Sequence, residues 1–183
     1  MTDDRPAPEP RQPRPRPVTR EWLMRASSTY LSRYASSSDN LRKVLRRKLV
    51  RRLAGETAAV SDEHAALVDS VVASFVELGL LDDEAYAEAR LNSLRRRGAP
   101  SRQIAAKLAN RGVDAETVAR AIAADPVSDR QAALRYAQRR RLGPFRIRDR
   151  AERRERDLAA MVRAGFSLAD ALAAIDATDD PTD

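Results

Sequence analysis

The sequence predicts an all-α protein: an elongated array of three tandem three-helix units behind a disordered Pro/Arg-rich N-terminal arm. Three observations predict it. Apolar residues recur at helical spacing between capping signals along most of the chain. Hydrophobic residues make up 43% but aromatics only 4%, so Ala and Leu dominate the core and strand-forming β-branched runs have little support. The pattern also repeats in register. Gly112 and Gly165 stand 53 positions apart, as do Ile122 and Ile175. Around each Gly the order is a basic residue, the helix-ending Gly, a large apolar residue and a cap.

The elements follow in order. Residues 1–18 alternate Pro6, Pro8, Pro10, Pro13, Pro15 and Pro17 with Arg11, Arg14 and Arg16; nothing there can pack, so the segment reads as a disordered arm. Trp22, Ala26, Tyr30 and Tyr34 make one stripe of a first helix. Ser36 to Asn40 supply cap chemistry for a second, whose inner face is Leu41, Val44, Leu45, Leu49 and Leu53. After a turn containing Gly55, Ser61 caps a third helix with Val68, Val71, Val72, Phe75 and Val76 inward, closed at Gly79. A second unit starts at Asp82 with Tyr86, Ala87, Leu91 and Leu94, and continues from Pro100-Ser101 with Ile104 and Leu108. Its third helix opens at Asp114, where Val113 and Val118 have the spacing of a hydrophobic staple. The third unit opens on Ser128 and Gln131, a capping-box pair. It continues with a charged helix from Asp149 and Glu152, with Leu158, Met161 and Val162 inward, and ends in a helix with Leu168, Leu172 and Ile175 facing in. The expected units are therefore 19–81, 82–126 and 127–177, with a tail at 178–183.

Charge is segregated along this series. Arg42, Lys43, Arg46, Arg47, Lys48, Arg51 and Arg52 form one block without an acid. Arg90 to Arg111 form a second and Arg130 to Arg148 a third, each also free of acids. Between the first two, Glu56 to Glu88 run without a Lys or Arg. The net charge of +7 and this blocking point to a polyanionic partner. The chain has no Cys, as suits a reducing cytoplasm. No apolar run reaches the length of a membrane span and no signal peptide opens the chain.

The stretch Glu77-Leu78-Gly79-Leu80-Leu81-Asp82-Asp83-Glu84-Ala85-Tyr86-Ala87, followed by Arg95-Arg96-Arg97-Gly98-Ala99-Pro100-Ser101-Arg102-Gln103-Ile104, resembles the RecX family of bacterial regulators of the RecA recombinase. The resemblance extends from Trp22 to Ile175, with support from Ser37 to Leu49 and from Arg163 to Ile175. The proline arm and the loop Ala54 to Val60 depart from the family pattern. The resemblance implies a bent array of three three-helix units that lodges in the groove of a RecA filament on DNA. It implies modulation of the filament's ATPase and strand exchange, towards inhibition, and hence a part in homologous recombination, DNA repair and the SOS response.

The residues hold no catalytic constellation of their own. His64 is the only His, so a His-based triad, relay or zinc site lacks its usual complement. Asp82-Asp83-Glu84 read as helix-start acids favoured by the macrodipole rather than a magnesium site. The six Gly are isolated turn residues and form no phosphate loop. No cofactor is expected. The basic residues remain: Arg42, Lys43, Arg46 and Arg47, then Arg95, Arg96, Arg97 and Arg102, then Arg139, Arg140 and Arg141 are the expected contacts to filament or nucleic acid. One Arg at each helix end would satisfy the helix dipole; three in a row exceed that need. Arg95 to Arg97 are expected at an exposed helix end. Tyr30, Tyr34, Tyr86 and Tyr136 have positions suited to core packing, with base stacking as the other use. Two readings stay open: a monomeric regulator of a recombinase filament that also touches single- and double-stranded DNA, and a free-standing DNA- or RNA-binding protein holding backbone phosphates.

Overall fold

The computed structural model describes residues 17–53 and 60–177, and among them every regular element is helical. The order is α1 (Arg20–Leu31), α2 (Ser38–Leu53), α3 (Asp62–Glu77), α4 (Asp83–Arg95), α5 (Ser101–Ala109), α6 (Ala115–Ala123), α7 (Asp129–Arg140), a 3-10 turn (Gly143–Phe145), α8 (Arg150–Ala164) and α9 (Leu168–Ile175). The Pro-rich stretch 1–16, most of the departing loop and the tail 178–183 lie outside the described residues. Pro17 and Val18, assigned to the arm, do pack: Val18 rests on the first core and the Pro17 carbonyl accepts from the Arg52 guanidinium at 3.1 Å.

Most helix starts are where the caps place them. Thr19, Ser61, Asp82, Asp114, Ser128 and Ser167 each accept from a backbone N–H of the following first turn, and Ser128 with Gln131 forms a reciprocal capping box. Asp149 departs from this. It sits in the left-handed region before α8 and its side chain makes no cap bond.

Three separate hydrophobic clusters form. One gathers Leu23, Leu41, Leu45, Leu49, Val68, Val71, Val72 and Phe75 from α1–α3. Another gathers Ala87, Leu91, Leu94, Ile104, Leu108, Val113 and Val118 from α4–α6, with both staple valines buried. The third is built on Ala132, Ala133, Ala137, Met161, Phe166, Ala171, Ala174 and Ile175. Extended helix–helix packing is confined to each set of three.

Some expected inner faces are rotated. In α1 the buried residues are Leu23 and Ser27, with Trp22, Ala26 and Tyr30 half-buried beside them. Tyr34 falls past the helix end and is exposed. Trp22 is instead covered from outside by the Arg52 guanidinium, 4.4 Å from its ring centre. Val76, Val162 and Leu168 are also exposed. Each lies at the edge of a stripe already filled by Phe75, by Met161, or by Ala171 and Ile175, and a helix packed on one side buries only that stripe.

The joints between helix sets are polar and follow one plan. The first residue of α4, Asp83, accepts from the N–H of Ser38, the first residue of α2, at 2.8 Å. The first residue of α7, Asp129, accepts from the N–H of Ser101, the first residue of α5, at 2.9 Å, and from its hydroxyl at 2.7 Å. In both cases a carboxylate opening one set caps the second helix of the set before it. Pro100, which precedes α5, offers no side-chain cap, so Asp129 satisfies a donor that would otherwise lack a partner.

Candidate polyanion interface

The basic blocks meet very different surroundings. On α2, Arg42 reaches Asp69 of α3 at 3.2 Å, Arg46 reaches the same carboxylate at 3.8 Å, and Lys43 pairs with Asp39 at 2.7 Å. Arg47 is exposed and its Nε donates to the Lys43 carbonyl. Much of this block's charge is therefore matched within its own helix set.

Arg95 is a correction to the sequence reading. It is buried at 3% exposure instead of lying at an open helix end. Its guanidinium pairs with Asp125, donates to Asp129 at 2.6 Å, to the Ala99 carbonyl at 2.8 Å and to the Ser101 hydroxyl at 2.7 Å. Dry burial of a guanidinium requires this saturation of its donors. Asp129 feels the consequence. Its partial burial alone would raise its pKa, but the bonds from Arg95 and Ser101 outweigh that and hold the carboxyl below its usual value.

With Arg95 fixed at the joint, its neighbours are free to face outward. Gly98 turns the chain in the left-handed region, φ +74°, directly against α7. A Cβ there would stand 2.6 Å from the Tyr136 nitrogen and 2.9 Å from the Ala132 carbonyl oxygen. Only Gly permits that approach. The exposed Arg139 then crosses to donate to the Arg97 carbonyl at 2.8 Å. Between α5 and α7 this leaves a cleft of ≈ 270 Å³ lined by Leu94, Arg97, Ala99, Gln103, Lys107, Tyr136, Arg139, Arg140 and Ala164. It continues past Tyr136 and Arg140 into a depression that adds Arg163. No carboxylate lines either part.

Of the expected contacts, Arg97, Arg139 and Arg140 come together here. Arg96, Arg102 and Arg141 are exposed outside the cleft, and Arg141 is held left-handed at φ 53° as the cap of α7. Lys107, Arg163 and Gln103 are not among the expected contacts. Each lies one or more turns from the Arg triplets; the docking of α7 on α5 brings Gln103 and Lys107 into the cleft, and α8 adds Arg163 to its extension. Tyr136 is half-buried against Phe166, ring centres 5.4 Å apart, with the Arg140 guanidinium 5.7 Å from its ring. Tyr30 stacks at a tilt on Tyr34, and its hydroxyl accepts from Asn40.

His64 shares a 2.9 Å contact between its Nδ1 and the Ser61 hydroxyl. In the acidic run, Asp82 caps α4, Asp83 caps α2, and Glu84 pairs with Arg120 at 2.7 Å. Among the described residues no group of acids, His and Cys has metal-binding geometry, and no helix is long and apolar enough to cross a membrane.

Comparisons with known proteins place this architecture. Residues 82–122 match the family model described as RecX, second three-helix domain. A regulatory protein RecX from Myxococcus xanthus is 44% identical over 170 residues, covering 89% of each chain. The chain belongs to the RecX family. A second relative of that name, from Thermobifida fusca, is 34% identical over 102 residues, 55% of each chain. The crystal structure of RecX from Lactobacillus salivarius superposes with a TM-score of 0.63 over 86% of this chain and 96% of that one. At 14% identity that likeness concerns the fold. RecX relatives are named as regulatory proteins, and a cationic helical array suits such a role.

Proposed function

We propose that this chain binds the nucleoprotein filament of a RecA-type recombinase and lowers its ATP turnover and strand exchange. It acts as a monomer in the cytoplasm, without a cofactor of its own, as three units spanning 19–81, 82–126 and 127–177. The observation that carries the reading is the acid-free cleft between α5 and α7. Guanidinium and ammonium groups from two successive units line one opening there, and such groups pair with phosphates. Few Asn or Gln side chains accompany them, so single- or double-stranded DNA is held by its backbone and not read by sequence.

The test is a pair of titrations on Arg97→Gln/Arg139→Gln/Arg140→Gln, one with recombinase assembled on single-stranded DNA and one with the bare strand. Regulation of ATP turnover should be lost. The slope of log affinity against log salt on the bare strand should fall by about 2, from roughly 0.7 per phosphate contact. If wild-type protein at saturation leaves turnover untouched yet binds the strand, the chain is a free-standing nucleic-acid binder instead.

A further inference from the structure

We infer that the corner between α3 and α4 is a protein-docking surface, and that its occupant is an apolar pocket rimmed by Lys or Arg on a subunit of the partner protein. The inference rests on the filament reading above and names the surface that would touch the recombinase subunit itself. Val76, Leu78 and Leu80 are 46%, 64% and 61% exposed and close together in the chain, while Leu81 beside them is buried at 3%. The turn that presents them is firmly built. Gly79 takes φ +67°, and the N–H groups of Leu80 and Leu81 both donate to the Phe75 carbonyl, at 2.9 and 3.1 Å. The apolar side chains are thus held out in a fixed geometry, which lowers the entropic cost of docking them.

Next to this knob lies a hollow of ≈ 430 Å³ whose lining includes Val76, Asp82, Asp83 and Glu84. Space at Gly79 is open: a Cβ there would meet nothing within 4 Å. The surrounding charge selects the occupant. Glu77 and Asp82 are exposed, Glu84 is exposed and paired with Arg120 of α6, and from Gly55 to Ala89 the sequence holds no Lys or Arg. Such a surface repels a phosphate backbone and complements a basic protein rim. The molecule therefore carries two surfaces of different character: a cationic cleft for the polyanion, and an acidic, apolar corner for protein.

The experiment compares wild type, Leu78→Ser/Leu80→Ser and Glu77→Lys in titrations with recombinase filaments and with bare single-stranded DNA. Glu77 ends α3, where a cation suits the helix dipole, so that variant keeps its fold while reversing charge at the rim. Both variants should bind filaments on the order of tenfold or more weakly than wild type. Neither should lose affinity for the bare strand. Variants that bind filaments as wild type does overturn the docking surface while leaving the filament reading intact. Wild type that binds no filament overturns the filament reading and this surface with it. Wild type that sediments as a dimer, dissociated by the Leu variant, assigns the corner to a second copy and also overturns the proposal. So does a filament affinity that rises on removal of residues 1–16, which would assign it to the chain's own arm.

Discussion

Arg95, Arg96 and Arg97 are adjacent in sequence and separate in role. Arg96 and Arg97 are exposed, while Arg95 is enclosed with Asp125, whose side chain is 2% exposed. Removing Arg95 strands the buried Asp125 carboxylate, so Arg95→Gln should cost about 3–5 kcal/mol. Arg96→Gln should stay within about 0.5 kcal/mol of wild type. Urea denaturation of the two variants checks the contrast. Asp129 and Asp157 add a pH dependence. Asp157 is buried, which alone would raise its pKa, but Arg146 at 2.6 Å and the Gly143 N–H at 2.9 Å outweigh this and hold it low. A carboxyl with a lower pKa folded than unfolded binds fewer protons in the native state. Its stabilisation is full above the unfolded value of about 3.9 and is lost as pH falls through the lower folded value. Acid titration of stability should therefore be shallower in Asp129→Asn and in Asp157→Asn than in wild type. Slopes identical to wild type would mean that neither carboxyl is held low. The role of Arg95 was not legible from its neighbours, because its acidic partners lie 30 and 34 positions downstream. One signal was present. Ser128 already caps α7, and Asp82 already caps α4, so Asp129 and Asp83 are each surplus to their own helix.

At the scale of elements, periodicity and caps made the helices legible, since both depend on residues within one or two turns. Which edge of a stripe faces inward depends on the neighbouring helix, so Val76, Val162 and Leu168, expected inside, stand outside, and Tyr34 does so because α1 ends before it. The cleft was legible only in part for the same reason. Arg97, Arg139 and Arg140 stood out as runs, but Lys107 needed the docking of α7 on α5, and Arg163 the placement of α8 beside α7. That docking turns on Gly98. Gly98→Ala adds a Cβ where backbone atoms already stand, in a conformation that L residues disfavour. Since backbone cannot move as a side-chain end can, α7 must shift away from α5. The variant should lose affinity for single-stranded DNA although no charge has changed. Spin labels on α5 and α7 should report a widened distance, and an unchanged distance would mean the cleft does not depend on this contact.

Across the whole molecule, three cores of unequal composition are joined by polar contacts. The α1–α3 core is built from Leu, Val and Phe, whereas the α7–α9 core leans on Ala132, Ala133, Ala137, Ala171 and Ala174. Burial contributes about 0.8 kcal/mol per CH2, so a methyl in place of an isobutyl group leaves each of these five Ala positions with less apolar stabilisation. Nor can the joints level that difference. Extended packing stays within each helix set, and what crosses between sets is mainly the Asp83 and Asp129 caps, the Arg95 network and the Arg139 bond. Hydrogen bonds of this kind contribute about 1 kcal/mol each, or about 1.5–3 where a charge is involved. Stability in such an array is a sum of local terms and short-range joints, and it varies along the chain. Native-state hydrogen exchange should therefore sort by helix set: slowest for α2 and α3, and faster for α8 and α9. The Asp129→Asn variant should speed exchange in α5 and α7 while leaving α2 and α3 as they were. Exchange that instead rises uniformly across all described helices would show one cooperative unit, in which the joints carry as much free energy as the cores.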